Sequence, residues 1–211
     1  GRLAVKSGSF PILNLDRDFR NVIMPDNKAI MELDYNAAEI RVLLALAEKE
    51  QPKEDIHQWN SDILGVSREE AKRSVISWLY GSKTSDIGKK LSEIYRRDEV
   101  LNNFYDPSTE TAKTPFGRQL NTDDFHALNH LVQSTAADMV FEQMVKLREF
   151  LEGKDSFIKF CMHDSVVIDL AETDLDCIEE IIKIFSNTRF GGIKANVSVG
   201  SHFGSMKKLK L

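Results

Sequence analysis

The chain has 211 residues, of which 42% are apolar and 29% charged, with a formal net charge of −5 and two cysteines. At this size folding removes roughly 70% of the unfolded chain's surface from water, so a hydrophobic core needs no covalent staple. Two cysteines exclude a disulfide framework and a four-cysteine zinc site, and they indicate a reducing compartment. No apolar run approaches the roughly 18 residues of a membrane span, and the Gly-Arg-Leu start is unlike a signal peptide. We expect a soluble, intracellular protein with no membrane partner.

The net charge conceals a basic segment. Residues 68–97 contain eight basic and four acidic side chains, so this segment carries +4 and the rest of the chain −9. Phosphate binding is driven by Lys and Arg, which release counterions from nucleic acid. A charge run is nevertheless usually a solvated helix face, so the segment alone does not establish a nucleic-acid partner.

The first elements are predicted in the N-terminal quarter. Residues 1–25 show no sustained period and are predicted to be an extended lead-in. Residues 28–34 favour a short strand that ends on a carboxylate. Asn36 and Glu39 then have the spacing of a capping box, and apolar residues recur at helical intervals, which predicts a helix over 36–49.

Two further helices are predicted in the basic segment. Ser67 and Glu70 form a Ser-x-x-Glu start signal for a helix that ends near Tyr80. Another helix is predicted over 85–103, and the Asp-Pro-Ser sequence at 106–108 ends it.

The C-terminal half combines helices with β-rich runs. The predicted elements are a turn at 114–117, a helix over 124–151, a β-hairpin over 157–170, a helix over 174–187 and a strand over 194–200. Antiparallel strands with long helices inserted between them indicate an α+β arrangement rather than a doubly wound sheet.

Two carboxylates stand at ends of predicted strands. Asp34 and Asp164 are 130 residues apart in the chain and could meet at one edge of the sheet. Carboxylate oxygens suit Mg²⁺, and two such ions about 3.5–4 Å apart clamp the attacking and leaving oxygens of a phosphoryl transfer. Because a lone Asp at these places is far more often a turn former, the pair alone is weak evidence.

The helix that begins after Ser67 carries a four-residue repeat of Arg68, Lys72, Ile76 and Tyr80. At 100° per residue these four lie within about 120° of arc along about 18 Å of helix. Two cations near the positive helix end suit phosphates, and the apolar and aromatic groups beyond them suit a sugar and a base. The alternative is an ordinary amphipathic helix with Ile76 and Tyr80 in the core.

Together these segments resemble family A DNA polymerases, the bacterial DNA polymerase I type that many phages also use. Residues 34–41 resemble the family's D-Y-S-Q-I-E-L-R motif, and the four-spaced helix resembles its R-x3-K-x3-F/Y-x3-Y-G fingers helix. Residues 162–165 resemble V-H-D-E, and residues 129–138 resemble N-x3-Q-G-T-A-A-D. Four shorter matches keep the family's order: Gly-Arg-Leu at 1–3, Asp-Ile-His at 55–57, Thr-x2-Gly-Arg at 114–118 and Val-Ser-Val-Gly at 197–200.

The resemblance implies a right-hand polymerase palm, built on an antiparallel sheet, with inserted helical fingers. By this likeness residues 1–50 and 124–211 form the palm and residues 51–123 the fingers. The family carries a thumb, and commonly an exonuclease domain, before the Gly-Arg-Leu segment. We therefore expect thumb and exonuclease domains to be absent from these 211 residues, because the chain is shortened or a separate polypeptide supplies them.

The implied reaction is template-directed DNA synthesis, in which two metal ions assist transfer of dNMP from a dNTP to a primer 3′-hydroxyl. The implied catalytic and metal ligands are Asp34, Asp164 and the backbone carbonyl of Tyr35, with two Mg²⁺ ions or Mn²⁺ as a substitute. The implied nucleotide-binding residues are Glu39, which blocks a 2′-hydroxyl, and His57, Arg68, Lys72, Ile76 and Tyr80. The implied primer–template contacts are Arg2, Arg41, Asn129, Gln133 and His163. The implied location is the cytoplasm of a bacterium or of a phage-infected host cell.

Several positions depart from the family pattern. They are Ala37, Ile76, Gln119, Phe125 and Ser165. Ile76 replaces the ring that usually packs under the nucleotide sugar, and Ser165 replaces a Glu, which leaves two certain carboxylates rather than three. Two other hypotheses stay open: a non-catalytic DNA-binding remnant or assembly module, and an RNA-synthesising relative, which Glu39 disfavours.

Overall fold

The computed structural model describes residues 3–82 and 85–209. Arg2, one of the predicted primer–template contacts, lies outside the described residues. The chain divides into two compact units. We call residues 37–136 the helical unit and residues 3–36 with 137–209 the sheet unit.

The described segments contain strands and helices in the following order. The strands are β1 (Ala29–Tyr35), β2 (Tyr105–Asp106), β3 (Thr111–Lys113), β4 (Gln119–Asn121), β5 (Phe157–Met162), β6 (Ser165–Leu170), β7 (Asn187–Thr188), β8 (Gly191–Gly192), β9 (Ala195–Gly200) and β10 (Lys207–Lys208). The α-helices are α1 (Ala38–Leu46), α2 (Ile56–Leu64), α3 (Arg68–Leu79), α4 (Asp86–Ile94), α5 (Arg97–Phe104), α6 (Ala127–Phe150) and α7 (Ile178–Ser186). Short 3₁₀ helices cover Ile12–Asn14, Arg17–Val22 and Glu172–Cys177.

The sheet unit is built on an antiparallel sheet with the strand order β10-β9-β1-β6-β5. β1 is the central strand, and its residues alternate between two faces because successive side chains of a strand point in opposite directions. Met31, Leu33 and Tyr35 are buried on one face, while Glu32 and Asp34 lie half-buried on the other. This alternation gives one strand a core face and a second face that carries two carboxylates beyond the buried Ile30.

The helical unit packs its helices around aromatic side chains. The Tyr95 ring stacks on Trp78 with 5.5 Å between centroids, and Trp59 meets the same ring edge-on at 6.3 Å. The Tyr95 hydroxyl donates to Asn60 Oδ1 at 2.8 Å, so the polar end of this buried residue is satisfied. The unit also holds a small antiparallel sheet in the order β2-β3-β4.

The predicted α+β class is confirmed, and several predicted elements are present. Ser67 caps α3 by accepting from the Glu70 backbone N–H at 3.3 Å. The predicted hairpin over 157–170 is the β5–β6 pair, and the long helix predicted over 124–151 is α6. Antiparallel pairing around a central strand, with helices between strands in the chain, is the arrangement that the sequence indicates.

Other predicted boundaries are wrong. Ala37, in the left-handed region at φ 55°, caps α1 without a side-chain hydrogen bond, so Asn36 does not begin the helix as a capping residue. The helix predicted over 85–103 is two helices, because Arg96 adopts φ 46° and interrupts the helical hydrogen bonding between α4 and α5. The β2-β3-β4 sheet was not predicted, since its strands of two or three residues are too short to show a period.

Candidate active site

The sheet unit brings Asp34 and Asp164 together. Asp34 is the penultimate residue of β1 and pairs in register with Ser165, the first residue of β6. The next residue, Tyr35, donates its backbone N–H to the carbonyl of Asp164 at 3.2 Å. The two carboxylates predicted from strand ends 130 residues apart therefore lie at the same end of one pair of antiparallel strands.

A third carboxylate, that of Glu32, lies on the same face of β1 as Asp34. Ser165 Oγ donates a hydrogen bond to Glu32 Oε1 at 3.3 Å. Glu32 was not predicted as a site residue, although the strand period places it beside Asp34, because residues two apart on a strand share a face. Ser165 stands where the family has a Glu, and here its hydroxyl contacts a Glu from the neighbouring strand.

The crowding of acids changes the protonation of Asp34. Burial, followed by the negative charges of Asp164 and Glu32, raises the pKa of Asp34 to about 7, although the Asn196 side-chain hydrogen bond and the positive charge of Lys208 oppose the shift. Burial also raises the pKa of Glu32. The ionised form of Asp34 is therefore held in an unfavourable environment that a nearby cation would improve.

This donor set fits Mg²⁺, a hard cation that prefers oxygen ligands and keeps several waters. Within residues 3–82 and 85–209, no three His, Cys, Asp or Glu side chains converge closely enough to hold an ion by themselves. Two carboxylates and a backbone carbonyl, completed by water or by phosphate oxygens, remain a suitable set because Mg²⁺ rarely uses an all-protein cage.

The residues that follow Asp34 and precede Asp164 differ in their surroundings. The buried Tyr35 ring stacks on Phe185 at 4.1 Å, and its hydroxyl donates to the Phe185 carbonyl at 2.6 Å. Its side chain therefore anchors the end of β1, so only its backbone can serve a ligand. His163 is exposed in the β5–β6 turn with a left-handed φ of 54°.

In the helical unit, α3 and Tyr80, which caps its C-terminal end, present the four-spaced residues to solvent. Lys72 is exposed, Arg68 is partly exposed, and Ile76 and Tyr80 are 43% and 47% exposed. The buried face of α3 consists of Ala71, Val75, Trp78 and Leu79. The alternative that Ile76 and Tyr80 belong to the core is therefore wrong, and the face predicted to bind a nucleotide is accessible.

Asp55 is a hub at the beginning of α2. Its Oδ1 caps the helix by accepting from the backbone N–H groups of His57 and Gln58, both at 3.0 Å. Arg68 donates from Nε and Nη2 to the two oxygens of Asp55, each at 3.1 Å. Partial burial would raise the pKa of Asp55, but the hydrogen bonds from Arg68 and Gln58 lower it to about 2. The same contact raises the pKa of Arg68.

His57 is buried at this hub, and burial lowers the pKa of its imidazole. Its Nδ1 makes no hydrogen bond to any of the described residues. A buried ring nitrogen without a protein partner is uncommon and is compatible with the predicted nucleotide contact.

Arg41, a predicted DNA contact, is buried in the helical unit. It is 1% exposed, and its guanidinium donates to the carbonyls of Pro52 and Glu54 at 3.0 and 3.1 Å. Gln51 donates back to the Arg41 carbonyl at 2.8 Å. Arg41 is an interior side chain that anchors the segment before α2, because burial of the guanidinium requires carbonyl partners.

Two predicted DNA contacts lie four residues apart on α6. Gln133 Nε2 donates to the Tyr80 hydroxyl, and Asn129 is buried with an Oδ1 that accepts no hydrogen bond from the described residues. The Phe125 ring lies against Gly81, where a Cβ would collide with it and φ is +115°. Glu39 is half-buried in the first turn of α1. The structure thus brings Tyr80 and Gln133 together.

Comparison with known proteins gives two informative matches. No protein-family model matches the chain. A DNA polymerase of Mycobacterium phage L5 is 24% identical over 183 residues, which cover 74% of this chain and 30% of that protein. The polymerase domain of Pol1 from M. smegmatis, solved in complex with DNA primer-template and dNTP, superposes with a TM-score of 0.70 at 17% identity. That match covers 90% of this chain and 43% of the other.

This chain spans less than half the length of either relative. No helix within the described residues has the length and hydrophobicity that crossing a membrane requires. The matches confirm the resemblance to family A DNA polymerases inferred from the motifs: the chain is similar in sequence to a phage DNA polymerase and has the fold of part of a solved polymerase domain.

Proposed function

We propose that this chain carries the nucleotidyl-transfer centre of a template-directed DNA polymerase. The observation that supports the proposal most directly is the pairing of Asp34 and Asp164 at one end of β1 and β6, where burial and acidic neighbours raise the pKa of Asp34 to about 7. We retain residues 1–50 and 124–211 as the proposed palm and residues 51–123 as the proposed fingers.

In this proposal Asp34, Asp164 and the Tyr35 carbonyl hold two Mg²⁺ ions, with Mn²⁺ as a substitute. When bound, such ions lower the pKa of a primer 3′-hydroxyl and neutralise the charge of a triphosphate and of the departing pyrophosphate. The two carboxylates would position the metal ions, and the buried Tyr35 ring keeps the end of β1 rigid.

The proposed dNTP contacts lie in the helical unit. Arg68 and Lys72 bind phosphate oxygens near the N-terminal end of α3, where the helix dipole also favours an anion, and His57 assists them. The exposed side chains of Ile76 and Tyr80 further along α3 contact the sugar and base. Glu39 selects deoxynucleotides by excluding a 2′-hydroxyl.

The proposed contacts with primer–template DNA are Arg2, Asn129, Gln133 and His163. Asn129 and Gln133 carry amides that can bind the acceptors of the minor groove, which are present in every base pair. We assign Arg41 to the support of the helical unit rather than to this set, because its guanidinium is bound to backbone carbonyls. A thumb and an exonuclease on a separate polypeptide remain a proposed partner.

Primer extension with Mg²⁺ tests the proposal, with the chain alone and with any thumb-bearing polypeptide added. Metal ions stabilise the transition state of nucleotidyl transfer by several kcal/mol, so Asp164→Ala should slow dNTP incorporation at least about a thousandfold. The control is Glu50→Gln, which also removes one negative charge but at an exposed position. Incorporation that survives Asp164→Ala would contradict the assignment. DNA binding without metal-dependent dNTP incorporation would favour the second candidate, a non-catalytic DNA-binding module.

A further inference from the structure

We propose that Asp55 is a positioning residue that aims Arg68 at a triphosphate and thereby determines the affinity for dNTP. The inference rests on the proposed function, because it concerns the residue assigned there to the phosphates. It assigns a role to a carboxylate that would otherwise oppose the binding of an anion.

The contact between the two side chains is bidentate. Asp55 accepts from Arg68 Nε and Nη2 at 3.1 Å each, so one edge of the planar guanidinium is fixed against the carboxylate. A guanidinium has five N–H donors in a rigid fork. Asp55 takes two of these donors and Glu69 takes one at 3.0 Å, which leaves two donors for an anion. Because the guanidinium is planar and rigid, the position of Asp55 sets the direction of the remaining N–H donors.

Hydrogen bonds from the first turn of α2 fix the Asp55 side chain. Its carboxylate caps α2 through the backbone N–H groups of His57 and Gln58, so the side chain that binds Arg68 cannot rotate without uncapping the helix. The caps and the Arg68 contact use the same carboxylate, and each restricts the movement of the other.

The backbone before Asp55 is held from the interior. The buried Arg41 donates to the carbonyls of Pro52 and Glu54, and Gln51 donates to the carbonyl of Arg41. The path from Arg41 to Arg68 consists of hydrogen bonds at its two ends, joined by the covalent backbone of residues 52–55. It links a buried cation to an accessible one within the helical unit.

The Asp55 carboxylate has two opposite effects on phosphate binding: it repels the anion, and it orients the Arg68 guanidinium. A carboxylate beside a phosphate site repels the ligand, so removal of its charge should strengthen binding unless its orienting effect is larger. Charge-assisted bidentate hydrogen bonds to phosphate are strong and depend on direction. We expect orientation to dominate, and the two effects have opposite signs in a binding experiment.

The test measures equilibrium binding of inorganic tripolyphosphate and of a dNTP, with Mg²⁺, to the full chain. Asp55→Asn keeps a good helix cap but removes the charge that fixes Arg68, and we expect binding about tenfold weaker. Asp62→Asn, the same change at an exposed position of α2, is the matched control and should leave affinity unchanged. Stronger or unchanged binding by Asp55→Asn would overturn the inference.

The same substitution in an Arg68→Lys chain separates a positioning effect on Arg68 from a general structural effect of Asp55→Asn. Lys cannot form the bidentate contact, so in an Arg68→Lys chain the added change Asp55→Asn should not weaken binding further. An equal loss in both backgrounds would show a merely structural effect and overturn the inference. In primer extension, Asp55→Asn should raise KM for dNTP more than it lowers kcat.

The Arg68 Nε–H resonance in NMR distinguishes failure of the inference from failure of the proposed function. An ordered resonance in the wild-type chain that is lost in Asp55→Asn supports positioning. An ordered Arg68 in a chain that does not bind tripolyphosphate would contradict the phosphate site of the proposed function, and the inference with it.

Discussion

Asp34 in the sheet unit and Asp55 in the helical unit are the same side chain in opposite surroundings. Asp34 is half-buried beside Asp164 and Glu32, and its pKa rises to about 7. Asp55 accepts hydrogen bonds from Arg68 and from the start of α2, and its pKa falls to about 2. Burial and acidic neighbours disfavour the ionised form of Asp34, whereas the guanidinium of Arg68 stabilises the ionised form of Asp55.

The two groups also give stability opposite pH dependences. The pKa of Asp34 in the folded chain is above its unfolded value of about 3.8, so its contribution is favourable at low pH and is lost as pH rises toward 7. The pKa of Asp55 is below its unfolded value, so its contribution is present above about pH 4 and is lost as pH falls toward 2.

The largest expected effect tests what determines the contribution of a buried carboxylate to stability: the groups that bind it, or the unit in which it lies. Asp169 lies in the sheet unit like Asp34, but it is 0% exposed and accepts from Lys159 Nζ and from the backbone N–H groups of Asp26 and Asn27. Asp169→Ala should lower the free energy of unfolding by about 3 kcal/mol, because it removes the acceptor of two backbone N–H groups and leaves Lys159 with Asp26 as its remaining carboxylate partner. Urea unfolding at pH 7, with Asp62→Ala as the exposed control, measures it. A loss below about 1 kcal/mol would contradict the comparison.

The next effect has the opposite sign. At pH 8 Asp34 is ionised against its raised pKa, so Asp34→Asn should increase the free energy of unfolding while abolishing metal-dependent incorporation. Three pKa units correspond to about 4 kcal/mol, and solvent screening at this half-buried site reduces the expected gain to about 2 kcal/mol. Urea unfolding at pH 8 and pH 4.5 measures the gain, which should fall to about a quarter at the lower pH, where the folded carboxyl is protonated and the unfolded one is still mostly ionised. A destabilised variant at pH 8 would break the contrast with Asp55.

A smaller loss is expected when the helical hub is removed. Asp55→Ala deletes a helix cap worth about 1 kcal/mol and a partly exposed ion pair worth less, so we expect a loss of about 1.5 kcal/mol. Asp55→Asn retains the cap and should lose less than half of that. Equal losses for the two variants, measured by urea unfolding at pH 7, would show that the charge rather than the cap supports α2.

The smallest effect concerns the metal itself. Mg²⁺ at about five times its dissociation constant should stabilise the wild-type chain by about 1 kcal/mol at pH 8. Asp34→Asn should remove this increment, whereas Asp55→Asn should preserve it. Thermal unfolding with and without Mg²⁺, at constant ionic strength, measures the difference. The same increment in Asp34→Asn would place the bound metal elsewhere.

Local signals in the sequence were sufficient for many elements. The Ser67 cap of α3, the β5–β6 hairpin and the strand β1 depend on neighbours within a few residues, and the structure contains all three. The cap of α1 at Ala37 and the break at Arg96 were missed, because both depend on left-handed backbone conformations that non-glycine residues rarely adopt.

Long-range contacts decided the roles that the sequence could not. Nothing local in the chain distinguishes Arg41 from a surface arginine, and only the path of residues 51–54 around it makes it an interior anchor. Glu32 likewise becomes relevant when β6 brings Ser165 against it.

The sequence by itself determined the α+β pattern, the carboxylates at the strand ends and the four-spaced face of α3, because each is written in spacing along the chain. Only the tertiary structure decided the electrostatic state of each acid. The pKa of a carboxylate depends on burial and on charges within a few ångströms, and those neighbours come from residues far away in the chain. Asp34 and Asp55 are indistinguishable as letters, and their different neighbours make one a proposed metal ligand and the other a support for Arg68.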